Sequence, residues 1–94
     1  MIFSYPAMVY VDKKGAYTVD IPNLRVSVQG STFLEASERA DEVTTGVILF
    51  RNLRGLELPA PSMSLSPRTD IAYADCFKTE VCVAEKHYTA VLEE

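Results

Sequence analysis

The sequence is poor in the residues that usually build cofactor sites and covalent cross-links. Its 94 residues include no tryptophan, one histidine and two cysteines. Cys76 and Cys82 are too few for a disulfide framework or a zinc site. We therefore expect one small domain spanning residues 1–94, which needs no cofactor and no metal.

Long apolar segments are absent as well. No run of about 18 apolar residues is present, which argues against a membrane-spanning helix. The first residues lack the basic stretch and the apolar core of a signal peptide. We expect a cytoplasmic protein that does not contact a membrane.

Basic residues are outnumbered by acidic ones. Nine lysines and arginines stand against thirteen aspartates and glutamates, which gives a net charge of −4. Domains that bind nucleic acid through its phosphates are usually basic, so we expect no direct nucleic-acid binding. An acidic domain is better suited to a basic protein partner.

Alternating apolar residues predict three strands in the first third of the chain. The three segments are residues 2–11, 16–21 and 25–29. The first segment is apolar on both faces, which is typical of a central strand. On its second face, Met8 and Tyr10 are either a second buried layer or an interface patch. A turn at Gly15 joins the first two segments, so we predict a three-stranded antiparallel meander.

A long helix is predicted next. Thr32 and Glu35 fit a capping box at its start, and Gly55 is a natural stop. Gly46 is unfavourable inside a helix, which indicates close packing or a bend. Apolar residues three and four positions apart predict the face that packs on the sheet. These residues are Phe33, Ala36, Ala40, Val43, Val47 and Phe50.

After the helix, prolines predict an extended connector over residues 56–67, and residues 68–76 fit no pattern. Phe77 to Glu85 predict a fourth strand, in which Cys82 acts as a small apolar residue. Residues 87–94 predict one or two helical turns. The order is β-β-β-α-β, an α+β domain with one antiparallel sheet and one long helix packed on one face.

Several short motifs occur here in a distinctive order. They are Tyr5-Pro6-Ala7, Gly15-Ala16-Tyr17-Thr18-Val19, Pro22-Asn23-Leu24, Gly30-Ser31-Thr32 with Glu35-Ala36, and Leu58-Pro59-Ala60-Pro61-Ser62. Together they resemble the HicB-type antitoxins of bacterial toxin–antitoxin pairs. The resemblance implies a partial RNase H-like, HicB-like fold. It also implies a non-catalytic inhibitor that occludes a small basic ribonuclease toxin of the HicA type.

The chain departs from this family in two places. After Pro22-Asn23-Leu24 the family continues with Pro-Gly-Cys, whereas this chain continues with Arg25-Val26-Ser27 and is one residue shorter. Many family members also carry a DNA-binding segment beyond this domain, and this sequence ends at Glu94 without one. We therefore do not expect operator binding.

An acidic cluster on the helix is the candidate site for a basic partner. Its residues are Glu35, Glu38, Asp41 and Glu42. A solvated helix face, with acids placed favourably at the positive end of the helix dipole, explains the same pattern. The open edges of a four-stranded sheet predict a homodimer in addition.

Two other functions remain open at this point. An RNase H-like nuclease would need converging carboxylates to hold divalent metal ions, and the candidates are Asp12, Asp20 and Glu80. A solitary antitoxin-like domain could instead be an inhibitor that a mobile element directs at another host protein, such as a CRISPR immune complex. The altered loop at Arg25 motivates this anti-CRISPR alternative.

Overall fold

The computed structural model describes residues 2–61 and 65–84, which form one four-stranded sheet with a long helix on one face. The elements are β1 (Ile2–Val11), β2 (Tyr17–Ile21), a 3-10 turn (Pro22–Leu24), β3 (Val26–Gly30), α1 (Phe33–Leu53) and β4 (Asp75–Ala84). The strand order is β3-β2-β1-β4, and all three pairs are antiparallel. The predicted α+β fold is confirmed. Glu85 and the helical turns predicted over residues 87–94 lie outside the described residues.

β1 is a central strand, flanked by β2 and β4, as its two apolar faces predict. It pairs with β4 along its whole length, but with β2 only from Met8 onward. The Asp12 N–H donates to the Ala16 carbonyl in the same register, so the even-numbered residues of β1 direct their N–H groups toward β2. Pro6 lacks an N–H, and it lies where the ladder to β2 has already ended. A proline is therefore tolerated inside a central strand.

Two turns shape the meander. Between β1 and β2, the Asp12 carboxylate accepts hydrogen bonds from the backbone N–H groups of Lys14 and Ala16, and Gly15 adopts a φ of 86°. Between β2 and β3, Arg25 adopts a left-handed φ of 55° and donates its N–H to the Pro22 carbonyl. A non-glycine residue in this conformation is uncommon. The loop that departs from the HicB pattern therefore has a left-handed arginine at its end.

Both ends of α1 agree with the sequence. Thr32 Oγ1 accepts a hydrogen bond from the Glu35 N–H at 3.1 Å, while the Glu35 carboxylate accepts from the N–H of Ser31 rather than of Thr32. At the other end Gly55 has a φ of 67°, and the Leu56 N–H donates to the Arg51 carbonyl. This is the Schellman arrangement that glycine favours.

The buried face of α1 differs from the predicted one. The fully buried residues are Ala36, Ala40, Thr44 and Ile48. Of the predicted set, Ala36 and Ala40 are correct and Val47 is half-buried, but Phe33, Val43 and Phe50 are exposed. The cause is how closely the helix approaches the sheet. A Cβ on Gly30 would lie 2.6 Å from the Ala36 nitrogen, so at the start of α1 a small side chain occupies the contact and the Phe33 ring lies at its flank. Further along α1 the buried residue is Ile48 rather than Val43 or Phe50.

Met8 and Tyr10 form a second buried layer rather than an exposed patch. Both are almost fully buried on the sheet face opposite α1. The Tyr10 hydroxyl accepts a hydrogen bond from the Arg68 N–H at 2.9 Å, and its ring lies edge-on to Tyr73. On the helix side, the Tyr5 hydroxyl donates to the Pro59 carbonyl at 2.7 Å. The connector between α1 and β4 thus contacts both sides of the sheet.

The fourth strand is confirmed, although it begins two residues earlier than predicted, at Asp75. Val81 is buried on the helix side, whereas Phe77 is partly exposed there. Cys82 is not a packed apolar residue: it is exposed, and its thiol lies 3.5 Å from Ser4 Oγ. The prediction for Cys82 is wrong because its position in β4 faces away from the helix, where no described apolar layer covers it.

Candidate protein-binding surface on the helix

The acidic cluster predicted from the sequence lies on the solvent side of α1. We call Glu35, Glu38, Asp41 and Glu42 the acidic patch. Residues three, four and seven apart lie on one side of a helix, so three of the four are neighbours and Asp41 lies at their flank. All four lie outside the buried face of α1. Glu35 is partly buried, and the other three are exposed.

Glu35 has a structural role at the start of α1. Besides its part in the helix cap, its carboxylate lies 3.2 Å from the Arg39 guanidinium. Arg39 in turn donates to the Gln29 carbonyl on β3 at 2.7 Å. Glu35 therefore ties the start of α1 to the edge of the sheet. Glu38 and Glu42 are the stronger candidates for contact with a partner.

An apolar groove adjoins the acidic patch toward the end of α1. It has a volume of about 430 Å³. It is lined by Leu24, Val43, Gly46, Val47, Phe50, Arg51 and Leu56. Phe50 is 54% exposed, and the Arg54 guanidinium lies 5.1 Å from the centre of its ring. Because Glu42 and Val43 are adjacent, charge and apolar surface meet at the middle of the helix.

Gly46 is one of the residues that line this groove. A Cβ built on Gly46 would meet no described atom within 4 Å, so close packing does not explain the glycine. The groove could not be predicted from the sequence, because the helical spacing of Val43 and Phe50 predicts that both residues lie in the core. A glycine between two large apolar residues on one helix face was the signal that could have indicated an accessible recess.

The opposite side of the sheet carries a polar cluster beneath the connector. Arg68 Nε donates to Asp70 Oδ1 at 2.9 Å, which lowers the pKa of the Asp70 carboxyl. Burial raises the pKa of Asp20, and the positive charge of Arg68 partly offsets this rise. Burial likewise raises the pKa of the Tyr10 hydroxyl. The adjacent cavity of about 230 Å³ is lined by Tyr10, Asp12, Thr18, Ser27, Gln29, Arg68, Ile71 and Ala72.

The carboxylates considered for a nuclease are not brought together. The Asp12 carboxylate is used in the first turn. Asp20 and Glu80 lie on the same face of the sheet, but on different strands, with β1 between them. The axes of these two strands, β2 and β4, are about 10 Å apart. Among the described residues, no three histidine, cysteine or acidic side chains are placed to hold a metal ion. Nor is any described helix long and apolar enough to cross a membrane.

Comparison with known proteins supports the fold. No protein-family model matches the chain, and no curated protein matches its sequence. A solved toxin–antitoxin complex from Streptococcus pneumoniae contains a similar chain, with 26% sequence identity and a TM-score of 0.78. The match covers 94% of this chain and 73% of the other. The molecule thus has a fold found in a toxin–antitoxin complex.

Proposed function

We propose that this protein is a non-catalytic, HicB-like antitoxin that binds and occludes a small basic ribonuclease toxin of the HicA type. The observation that carries the proposal is the fold shared over 94% of the chain with a component of a toxin–antitoxin complex. A ribonuclease toxin acts in the cytoplasm, so the proposal places the antitoxin there as well.

The chemistry of the helix surface supports a basic protein partner. Glu38 and Glu42 offer exposed negative charge, and the apolar groove beside them offers area that a partner can bury. Charge complementarity of this kind speeds association, while the buried apolar centre of an interface supplies most of the affinity. Inhibition then needs only steric exclusion of RNA from the toxin.

The test is co-expression with the neighbouring reading frame, followed by affinity capture and a growth assay. We expect the protein to capture the toxin and relieve growth arrest. Glu42→Lys should weaken binding about 5- to 10-fold, because one attractive contact becomes repulsive. Glu80→Lys changes the same charge at an exposed residue on the sheet face opposite α1 and should leave binding within about twofold. Equal losses in both variants would contradict this location of the site.

Catalysis is tested on the purified protein alone. The proposal expects no cleavage of RNA or DNA when Mg²⁺ or Mn²⁺ is added. Metal-dependent cleavage that disappears in Asp20→Asn would overturn it and restore the nuclease hypothesis.

The left-handed Arg25 loop is the observation that favours the mobile-element inhibitor as a second candidate. This candidate expects no toxin gene beside the gene for this chain, and binding to an immune complex of the host. A neighbouring gene for a small basic toxin that the protein neutralises would exclude it.

A further inference from the structure

β4 is a long edge strand, and no described strand bonds to the backbone groups on its outer side. Even-numbered residues of β1 direct their N–H groups to β2, so odd-numbered residues of β1 bond to their odd-numbered partners on β4. The even-numbered residues of β4 therefore direct their N–H and C=O groups outward. The Cys76 N–H is bonded to the side chain of Asp75, as an outward donor would be. No strand among the described residues pairs with this edge.

The sequence of β4 is complementary to itself when two copies run antiparallel. With Thr79 opposite Thr79 of a second copy, Lys78 faces Glu80 and Phe77 faces Val81. The first pair joins opposite charges, and the second joins an aromatic to a β-branched residue. Both kinds of cross-strand pair stabilise antiparallel sheets.

The outward backbone groups restrict the possible registers. Hydrogen bonding across the edge requires even-numbered residues of one copy to face even-numbered residues of the other. A shift of two positions in one direction places Lys78 opposite Lys78, and a shift in the other direction places Glu80 opposite Glu80. Like charges directly opposite each other are destabilising. The Thr79-centred register is the one in which Lys78 and Glu80 pair with each other.

We propose that two copies of this chain pair through β4 in this register and form a continuous eight-stranded sheet. The two-fold axis is perpendicular to the sheet at Thr79, so both α1 helices lie on the same face. The interface closes an edge that no described strand covers, and an uncovered edge favours uncontrolled association. The acidic patch and the apolar groove stay accessible in both copies. The assembly does not depend on the identity of the partner that binds α1.

The charge pair gives the first test, measured by light scattering coupled to size-exclusion chromatography over a dilution series. The wild-type protein should be a dimer, and Lys78→Glu should be a monomer with unchanged circular dichroism. The double variant Lys78→Glu/Glu80→Lys restores opposite charges in the proposed register and should restore the dimer. A monomeric wild-type protein, or a folded double variant that stays monomeric, would overturn the proposal.

The two cysteines report the register directly. Cys76 faces Cys82 of the second copy in a hydrogen-bonded pair, where Cα atoms lie about 5.5 Å apart, within the range of a disulfide. Diamide oxidises such a pair to a disulfide and takes up the two protons and two electrons. The wild-type protein should form a covalent dimer, whereas Cys76→Ser and Cys82→Ser alone should not. A mixture of these two variants should form it again.

Within one copy the two thiols cannot react, because six positions along a strand span about 20 Å. A cross-link that survives in either single variant would join identical cysteines and would therefore indicate another register. That result would contradict the proposal even if the protein were dimeric.

Discussion

Thr44 is the buried polar side chain of the α1 face that packs on the sheet. It is fully buried, and its Oγ1 has no hydrogen-bond partner among the described residues. A buried hydroxyl without a partner loses its hydration without compensation. Its polarity also explains why the buried face of α1 was predicted incorrectly. A face made of Ala36, Ala40, Thr44 and Ile48 is not apolar at every position.

Thr44→Val should therefore stabilise the protein. The substitution keeps the shape of the side chain and removes the desolvated hydroxyl, so we expect the free energy of unfolding to rise by about 1 kcal/mol. Urea denaturation followed by circular dichroism measures the change. Thr45→Val is the matched control, since Thr45 Oγ1 donates to the Asp41 carbonyl on the more exposed side of α1. A fall in stability for Thr44→Val would show that its hydroxyl is bonded in the folded protein.

The packing of α1 on β3 depends on one glycine. The backbone of Gly30 lies so close to Ala36 that a Cβ would approach the Ala36 nitrogen to 2.6 Å. The obstacle is backbone, which cannot turn aside as a flexible side chain would. This contact determines the distance between the start of α1 and the sheet. That distance in turn limits the size of the side chains that fit between them.

Two alanine substitutions test this packing. Gly30→Ala should lower the free energy of unfolding by about 2–3 kcal/mol, because the first turn of α1 must move away from β3. Gly46→Ala should raise it by up to about 1 kcal/mol, since alanine favours the helix and its Cβ meets no described atom. Thermal and urea unfolding of both variants provide the comparison. Equal effects from the two substitutions would contradict the close approach at Gly30.

Elements defined by local patterns could be predicted from the sequence. Alternation located the strands, and the signals at Thr32 and Gly55 located the ends of α1. The orientation of α1 could not be predicted in full, because it depends on the approach to Gly30. The cover over Tyr10 also escaped prediction, since its hydrogen bond to Arg68 joins residues 58 positions apart.

The candidate site likewise has one part that local sequence patterns predict and one part that depends on the packing of α1. The acidic patch follows from sequence spacing alone. The apolar groove requires knowledge of which side of α1 meets the sheet, and so it emerged only when Val43 and Phe50 proved to be exposed. Sequence reasoning therefore found the charged half of the surface and missed the apolar half.

At the scale of the whole molecule, the two proposed interfaces occupy different parts of the surface. Pairing through β4 uses an edge of the sheet. The acidic patch lies on the solvent side of α1, and the apolar groove follows the flank of α1 beside Leu24. A dimer would therefore present two partner-binding surfaces on one face of a continuous sheet. A basic toxin bound to one copy would leave the other copy accessible.

A chain of this size buries only roughly 60–65% of the surface of its unfolded form, so association should contribute measurably to its stability. A tenfold change in an equilibrium constant corresponds to about 1.4 kcal/mol. When unfolding is coupled to dimer dissociation, a tenfold rise in protein concentration therefore raises the free energy of unfolding by about 0.7 kcal/mol per chain, because two chains share that amount. We expect the Tm to rise by about 3–5 °C for each tenfold increase in concentration. Scanning calorimetry over two decades of concentration measures this slope. Lys78→Glu should melt at one temperature throughout the series, and a slope equal to that of the wild-type protein would show that the copies associate through a surface other than β4.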